Sequence, residues 1–142
     1  MGTEAIIVTK DAALLAKLHA TSFEDSWSAV FFEAMLNQMG VTALATSHGF
    51  ILMRCIAGEG EVLTVAVEPT QRGQGLGYRL VESGLVLALA HAVTRCFLEV
   101  AADNAPAIAI YKKAGFTQIG ERKNYYHRGD AKIDALLMEW RK

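Results

Sequence analysis

The chain has 142 residues, 52% of them hydrophobic and 20% charged, which is enough for one folded unit with a real core and too apolar for a disordered one. Fourteen Lys and Arg stand against 15 Asp and Glu, a net charge of -1, so the basic excess of a general nucleic-acid binder is missing. No run approaches the roughly 20 apolar residues of a membrane span, and no basic-then-hydrophobic leader precedes Glu4, so a cytoplasmic setting is expected.

Residues 4–8 make a short apolar strand candidate, and Asp11 is placed to cap an Ala/Leu-rich helix ending near Ala20. A polar interruption at 22–28 precedes a second helix, capped by Ser28, with Val30, Phe31, Ala34 and Met35 as its expected inward side. Strands follow at 41–46, 50–57 and 61–67, separated by Ser47-His48-Gly49 and Gly58-Glu59-Gly60 turns. Glu68-Pro69-Thr70 ends the last of these. A glycine loop then opens a long helix over about 75–92, and residues 94–100 return as a buried strand. A short helix at 104–114 stops at Gly115, and strands at 117–126 and 132–141 are joined through His127-Arg128-Gly129-Asp130. The order β-α-α-β-β-β-α-β-α-β-β predicts an α/β mix in one continuous domain, 1–142, with a right-handed parallel crossover from 62–67 to 94–100.

Cys55 and Cys96 sit inside strand-like apolar runs, without Cys-x-x-Cys spacing or a nearby His. They read as buried free thiols. His19, His48, His91 and His127 are dispersed, so no metal site is expected and the four read as structural or surface residues.

The chemistry is concentrated in the segment Val62-Leu63-Thr64-Val65-Ala66-Val67-Glu68-Pro69-Thr70-Gln71-Arg72-Gly73-Gln74-Gly75-Leu76-Gly77. Here a buried strand runs into a glycine loop that opens directly onto a helix. Glycines let backbone approach a ligand closely, and free N–H groups at a helix start attract phosphate. Arg72 can add a charge-assisted contact to the same oxygens. A dinucleotide fingerprint would need glycine where Tyr78 stands, and a Walker loop would need a lysine that the loop lacks. What remains is Arg-x-x-Gly-x-Gly.

That loop resembles the acetyl-coenzyme A loop of the GCN5-related N-acetyltransferases (GNAT family). A second stretch, Leu98-Glu99-Val100-Ala101-Ala102-Asp103-Asn104 running on to Ile110-Tyr111 and Gly115-Phe116, resembles the same family's strand, Asn, Tyr and Gly-Phe segment. Arg122-Lys123-Asn124-Tyr125-Tyr126, with Glu99 and Trp27, is similar to the RimI-type subfamily, whose members acetylate the N-terminal alanine of a small-subunit ribosomal protein. The resemblance implies the GNAT fold, α/β (α+β), with a mixed central sheet of about seven strands, four helices, and splayed parallel strands that hold acetyl-CoA. It implies backbone pairing of the pantetheine arm along Val65, Ala66 and Val67, pyrophosphate on Arg72, Gly73, Gln74, Gly75, Leu76 and Gly77, and a contact from Asn104. Glu99 is the implied general base and Tyr111 the implied general acid, with acetyl passing directly to an amine.

On the acceptor side, Trp27 either packs under the inter-helix loop or walls a peptide channel. Tyr125 and Tyr126 alternate along a strand, so at most one is expected in the core while the other faces the substrate groove, with one of them as a peptide contact. The implied partner is the N-terminal peptide of a ribosomal protein, with no nucleic acid or membrane partner, and a monomer is favoured. A lysine or small-molecule amine as acceptor, and a non-catalytic acetyl-CoA-binding module, are the alternatives. Three positions depart from the pattern: Gly73 replaces an often basic residue, Ala101 stands where arginine is usual, and Ser26 stands where proline is usual.

Overall fold

The computed structural model describes residues 3–142. Its strands are β1 (Ile7–Thr9), β2 (Val41–Thr46), β3 (Gly49–Ile56), β4 (Glu59–Val67), β5 (Arg95–Ala101), β6 (Thr117–Arg128) and β7 (Ala131–Arg141). They form one sheet in the order β1-β2-β3-β4-β5-β7-β6, antiparallel throughout except for β4 and β5. Helices α1 (Ala12–Ala20) and α2 (Ala29–Leu36) precede β2, while α3 (Leu76–Ala90) joins β4 to β5 and α4 (Ala105–Lys113) follows β5. This is the mixed seven-stranded sheet with four helices that the sequence implied. Among the described residues no helix is long and apolar enough to cross a membrane.

Three helices start on side-chain caps. The Leu14 N–H donates to Asp11 Oδ1 at 3.0 Å, the Phe31 N–H to Ser28 Oγ at 3.1 Å, and the Ala107 N–H to Asn104 Oδ1 at 3.3 Å. The long helix α3 starts without one, on Gly75 at φ 86°.

Alternation along the strands divides the interior into two cores. Leu44, Ile51, Met53, Val62, Leu98, Val100 and Met138 pack with Leu80, Val81 and Leu85 of α3 and Tyr111 of α4. On the other face, Ala43, Ala45, Phe50, Leu52 and Ala66 pack with Leu15 and Leu18 of α1 and Phe32 and Met35 of α2. Adjacent residues of one strand thus serve opposite layers, as a period of two requires.

The structure departs from the sequence reading at several points. Only Met35 of the expected inward side of α2 is buried, while Val30 is 77% and Phe31 42% exposed. Phe32 takes the inward position instead, edge-on to Phe50 at 5.6 Å. In Ala-Val-Phe-Phe-Glu-Ala-Met-Leu apolar residues point in almost every direction, so packing rather than pattern selects the face. The β3–β4 hairpin turns on Ala57 and Gly58, at φ 53° and 83°, and not at residues 58–60. Two positive φ values in a row match the right-handed twist of the flanking strands. Residues 4–6 lie before β1 rather than in it, and the Glu4 carboxylate accepts from the Ser47 N–H and hydroxyl instead. The last hairpin turns at Gly129 and Asp130, so β6 runs on through His127 and Arg128.

Phe32→Ala is expected to cost about 3 kcal/mol in denaturant unfolding, while Phe31→Ala, one residue away on the exposed side, costs less than about 1 kcal/mol.

Candidate active site

The parallel strands β4 and β5 pair only through Glu59↔Arg95, Gly60↔Cys96 and Glu61↔Phe97. Beyond these rows each continues against its outer neighbour, β4 against β3 and β5 against β7, while the ladder between them stops. The register of β3 on β4 slips between Leu52↔Thr64 and Met53↔Val62, which leaves Leu63 as an extra residue in β4. A bulge of this kind bends its strand, here at the point where the opening begins.

Val65, Ala66 and Val67 lie along this opening. The Val65 and Val67 side chains pack towards the α3/α4 core and Ala66 is buried in the other. Their side chains thus serve packing, and what the strand can offer a ligand is its backbone edge. After a single 3-10 turn, Pro69–Gln71, the chain passes Arg72 and Gly73 (φ 77°) to Gly75. A Cβ at Gly73 or Gly75 would meet nothing within 4 Å, so what requires glycine there is the backbone conformation. Gly77 differs, since a Cβ there would come 2.9 Å from Ile110 Cδ1, so it lets α3 lie close against α4. Because Gly75 supplies no side-chain cap, the first N–H groups of α3 lack intrahelical partners and point at the loop. This 15-residue helix aims the positive end of its dipole at the same place.

Arg72 is placed differently from the expectation of a phosphate contact. Its Nε donates to the Val67 carbonyl at 2.9 Å and its Nη2 to Ser22 Oγ at 3.0 Å, which joins the glycine loop to the segment between α1 and α2. Gln74 is exposed, and Leu76 packs against the α3/α4 core. Asn104 is the N-cap of α4, exposed beside the end of β5.

On β5, Cys96, Leu98 and Val100 enter the α3/α4 core, so Phe97, Glu99 and Ala101 lie on the opposite face. Glu99 is 29% exposed, and its Oε1 lies 3.3 Å from Arg122 Nη2. Tyr111 comes from the other side, buried against Phe116 with ring centroids 5.9 Å apart. Burial, with a smaller effect from Tyr126, pushes its hydroxyl well above the ordinary tyrosine range. The Tyr126 hydroxyl is pushed up by burial, then by Glu99 and Tyr125. Glu99, Tyr126 and Tyr111 are therefore electrostatic neighbours, with the carboxylate on one face of the sheet and the buried phenol on the other.

Neither Tyr125 nor Tyr126 is fully buried. The register of β6 on β7 jumps from Arg122↔Ala135 to Tyr126↔Ile133, and Asn124 adopts φ 55°. This breaks the alternation, leaves Tyr125 exposed and Tyr126 half-buried, and sets their rings edge to face at 5.2 Å.

Trp27 is half-buried in an aromatic stack. Its ring lies 4.8 Å from His19 and from Phe31, and its backbone N–H donates to His19 Nδ1 at 3.1 Å. His19, stacked on its other side against Phe23 at 4.3 Å, organises this segment, a role beyond the structural or surface one expected of it. Burial pushes its imidazole down to about 4. The spacing of four at His19, Phe23 and Trp27 is the only trace of this arrangement in the sequence. Ser22 and Arg122 also acquire partners that the sequence reading had not assigned.

Among the described residues no group of three or more His, Cys, Asp and Glu is placed to hold a metal ion. Cys96 is buried and its thiol is pushed up to about 12, first by burial and then by Cys55. It has no means of forming a thiolate nucleophile near neutrality.

A sheet opened between two parallel strands, with a capless helix and glycine loop at its wide end, suits an extended amide arm with a pyrophosphate. The Acetyltransferase (GNAT) family model matches residues 13–116, and the chain belongs to this family. Over 97% of its length the chain is 29% identical to the ribosomal protein bS18-alanine N-acetyltransferase of Escherichia coli strain K12, covering 96% of that protein. It is 33% identical to the N-alpha-acetyltransferase RimI of Mycobacterium tuberculosis, over 96% of this chain and 90% of the other. The crystal structure of the ribosomal-protein-S18-alanine N-acetyltransferase from Escherichia coli matches with a TM-score of 0.85 at 28% identity, covering 99% of this chain and 94% of that one. The chain is an N-acetyltransferase that uses acetyl-CoA as co-substrate.

The depressed His19 has a consequence for stability. An unfolded chain takes up a proton there near pH 6.5, the folded protein only near 4, so the contribution of this group is intact above 6.5 and is lost as pH falls towards 4. Unfolding midpoints measured across this window are expected to fall with pH less steeply in His19→Gln than in the parent.

Proposed function

We propose that this protein acetylates the N-terminal α-amine of a protein, with the N-terminal alanine of a small-subunit ribosomal protein as the leading substrate. The observation that carries the reading is the end of the β4–β5 ladder at Glu61 and Phe97, with Glu99 two residues further along β5 on the open face. Similarity over nearly the full length to a protein named as a ribosomal protein bS18-alanine N-acetyltransferase and to one named as an N-alpha-acetyltransferase supports the choice of acceptor.

The co-substrate supplies an acyl group activated as a thioester. The backbone edge of Val65–Val67 holds its amide arm, and the backbone of the loop from Arg72 to Gly77, with the start of α3, takes its pyrophosphate, while the Arg72 guanidinium braces that loop on Val67 and Ser22. The Asn104 side chain adds a contact from the start of α4. Trp27, Tyr125 and Tyr126 form the acceptor side. An α-amine titrates near 7.7–8.0, against about 10.4 for lysine, so at neutral pH it is already partly neutral. A single carboxylate, Glu99, then suffices to take the remaining proton during attack, directly or through one water. Backbone N–H groups on the β4 edge stabilise the negative charge that develops on the carbonyl oxygen.

Tyr111 serves the departing sulfur. Burial keeps its hydroxyl protonated, so it presents a donor at neutral pH. Full transfer to a thiolate of pKa about 8.5 is uphill from a phenol raised above 10. Its main contribution is the hydrogen bond that stabilises that thiolate as it leaves; the thiolate then takes a proton from solvent, and Glu99 returns to solvent the one it took from the amine. No enzyme nucleophile is required, in keeping with two thiols placed in or beside the core.

Incubation with acetyl-CoA and two peptides tests the acceptor by mass spectrometry. One peptide has a free N-terminal Ala, and the other has a blocked terminus and an internal Lys. Acetyl is expected on the free Ala alone; acetyl on Lys alone would overturn the N-terminal reading. For the residues, Glu99→Gln is expected to lower kcat about 100-fold with acetyl-CoA affinity unchanged. Tyr111→Phe should lower it about 10-fold, in proportion to one lost hydrogen bond to a charged group. Full activity in either variant would remove that residue from the mechanism.

A further inference from the structure

Glu99 is held by a residue from a strand that it does not touch through the backbone. In the rows of the sheet, Ala101 of β5 faces Ala135 of β7, and Ala135 faces Arg122 of β6. Glu99 lies two rows along, the next on the same face, opposite Leu137. Arg122 therefore starts two strands from β5, on the order of 10 Å at ordinary strand spacing, yet its Nη2 lies 3.3 Å from the Glu99 carboxylate. The other two members of Arg122's own row, Ala135 and Ala101, are both alanines, so neither puts a long side chain beside the guanidinium stem on that face.

The other end of Arg122 is also fixed. It immediately precedes the irregularity in β6, where two residues more than on β7 separate the paired rows. Asp134 of β7 anchors that irregularity, since its Oδ1 accepts the Asn124 N–H at 2.8 Å and its Oδ2 lies 3.5 Å from Lys123 Nζ. The Tyr125 ring thereby comes over the Arg122 guanidinium, 5.2 Å from it to the ring centroid. The guanidinium is thus held between an aromatic face and a carboxylate, a geometry that suits arginine better than lysine.

We infer that Arg122 is the positioning residue for this reaction, fixing the Glu99 carboxylate on the open face and tying it to Tyr125 on the acceptor side. The inference rests on Glu99 being the base. Folding does not explain the contact, because both partners are partly exposed and such pairs contribute little to stability. Its value lies in orientation. A carboxylate on three rotatable side-chain bonds that is fixed before the amine arrives avoids part of the ordering cost at the moment of attack.

A double-mutant cycle tests this with acetyl-CoA and whichever acceptor the peptide assay identifies, using Glu99→Gln, Arg122→Gln and both together. Arg122→Gln is expected to lower kcat about 10-fold, with the KM of both substrates unchanged and the melting temperature unmoved. The double variant should be no slower than Glu99→Gln alone, because Arg122 acts through Glu99. Arg122→Lys, which keeps the charge but loses the planar fork, should recover part of the rate. Parent-like kcat in Arg122→Gln would overturn the inference and leave Glu99 as base. Multiplicative loss in the double variant, or a rise in acceptor KM alone, would also overturn it, by making Arg122 an independent contact. Full activity in Glu99→Gln would remove both the base and its positioner.

Discussion

The site depends on a parallel strand pair that is allowed to pair for only three rows. Backbone N–H and C=O groups along a strand need partners, so an opening inside a sheet is costly unless something else occupies it. In this protein the closed end is secured beyond the ladder as well, where the Thr94 N–H donates to the Gly58 carbonyl at 2.9 Å and Gly60 lets the Cys96 and Val93 side chains lie close. Leu63 then adds its extra residue, and β4 and β5 each rely on their outer neighbours. The edges left facing each other suit a molecule that carries amides in an extended chain. Acetyl-CoA, with its pantetheine arm, is such a molecule, and on the proposed reading its recognition is a matter of strand geometry more than of particular side chains.

The same opening explains why a carboxylate and a phenol on opposite faces of a sheet can belong to one reaction. In a continuous sheet Glu99 and Tyr111 would be separated by the backbone layer. Glu99 is on the face that carries α1, α2 and the aromatic stack around Trp27, and Tyr111 is packed under α4 in the other core. A gap between β4 and β5 gives both faces access to one point. Arg72 links the two sides in a second way, because a single guanidinium bonds both the last carbonyl of β4 and Ser22 beside the aromatic stack.

Much of this was legible in the sequence because it is carried by local chemistry. Glycines at positive φ, Asn and Ser caps, and a strand running into a loop at 62–77 are read from neighbouring residues, and so was the order of elements. What escaped depends on non-local packing or on a broken period. The inward face of α2 is chosen by Phe50 across the core, not by the nearly all-apolar helix itself. Ala57 in a left-handed conformation is imposed by the hairpin and has no signature of its own. Tyr125 and Tyr126 were read by strict alternation, which the irregularity at Asn124 removes. The role of Arg122 follows only from the pairing of the β6–β7 hairpin with β5, which precedes it by a helix.

A comparison of two carboxylates on one face of the sheet separates stability from chemistry. Glu139 of β7, opposite Phe97 of β5, is 6% exposed and paired with both Arg95 and Arg141. The hydrogen bonds from those two arginines hold its carboxyl below the usual carboxylate range, Arg141 contributing most. That is the arrangement expected of a charge whose desolvation must be offset for the fold to survive. Glu99, two rows away on the same face, keeps 29% of its side chain in solvent and has one arginine at 3.3 Å. It is restrained without being saturated, since a carboxylate has about four acceptor positions and a single guanidinium nitrogen at that distance leaves most of them available. A proton acceptor has to be built in this second way: a carboxylate enclosed like Glu139 would add to stability and have no room for an amine.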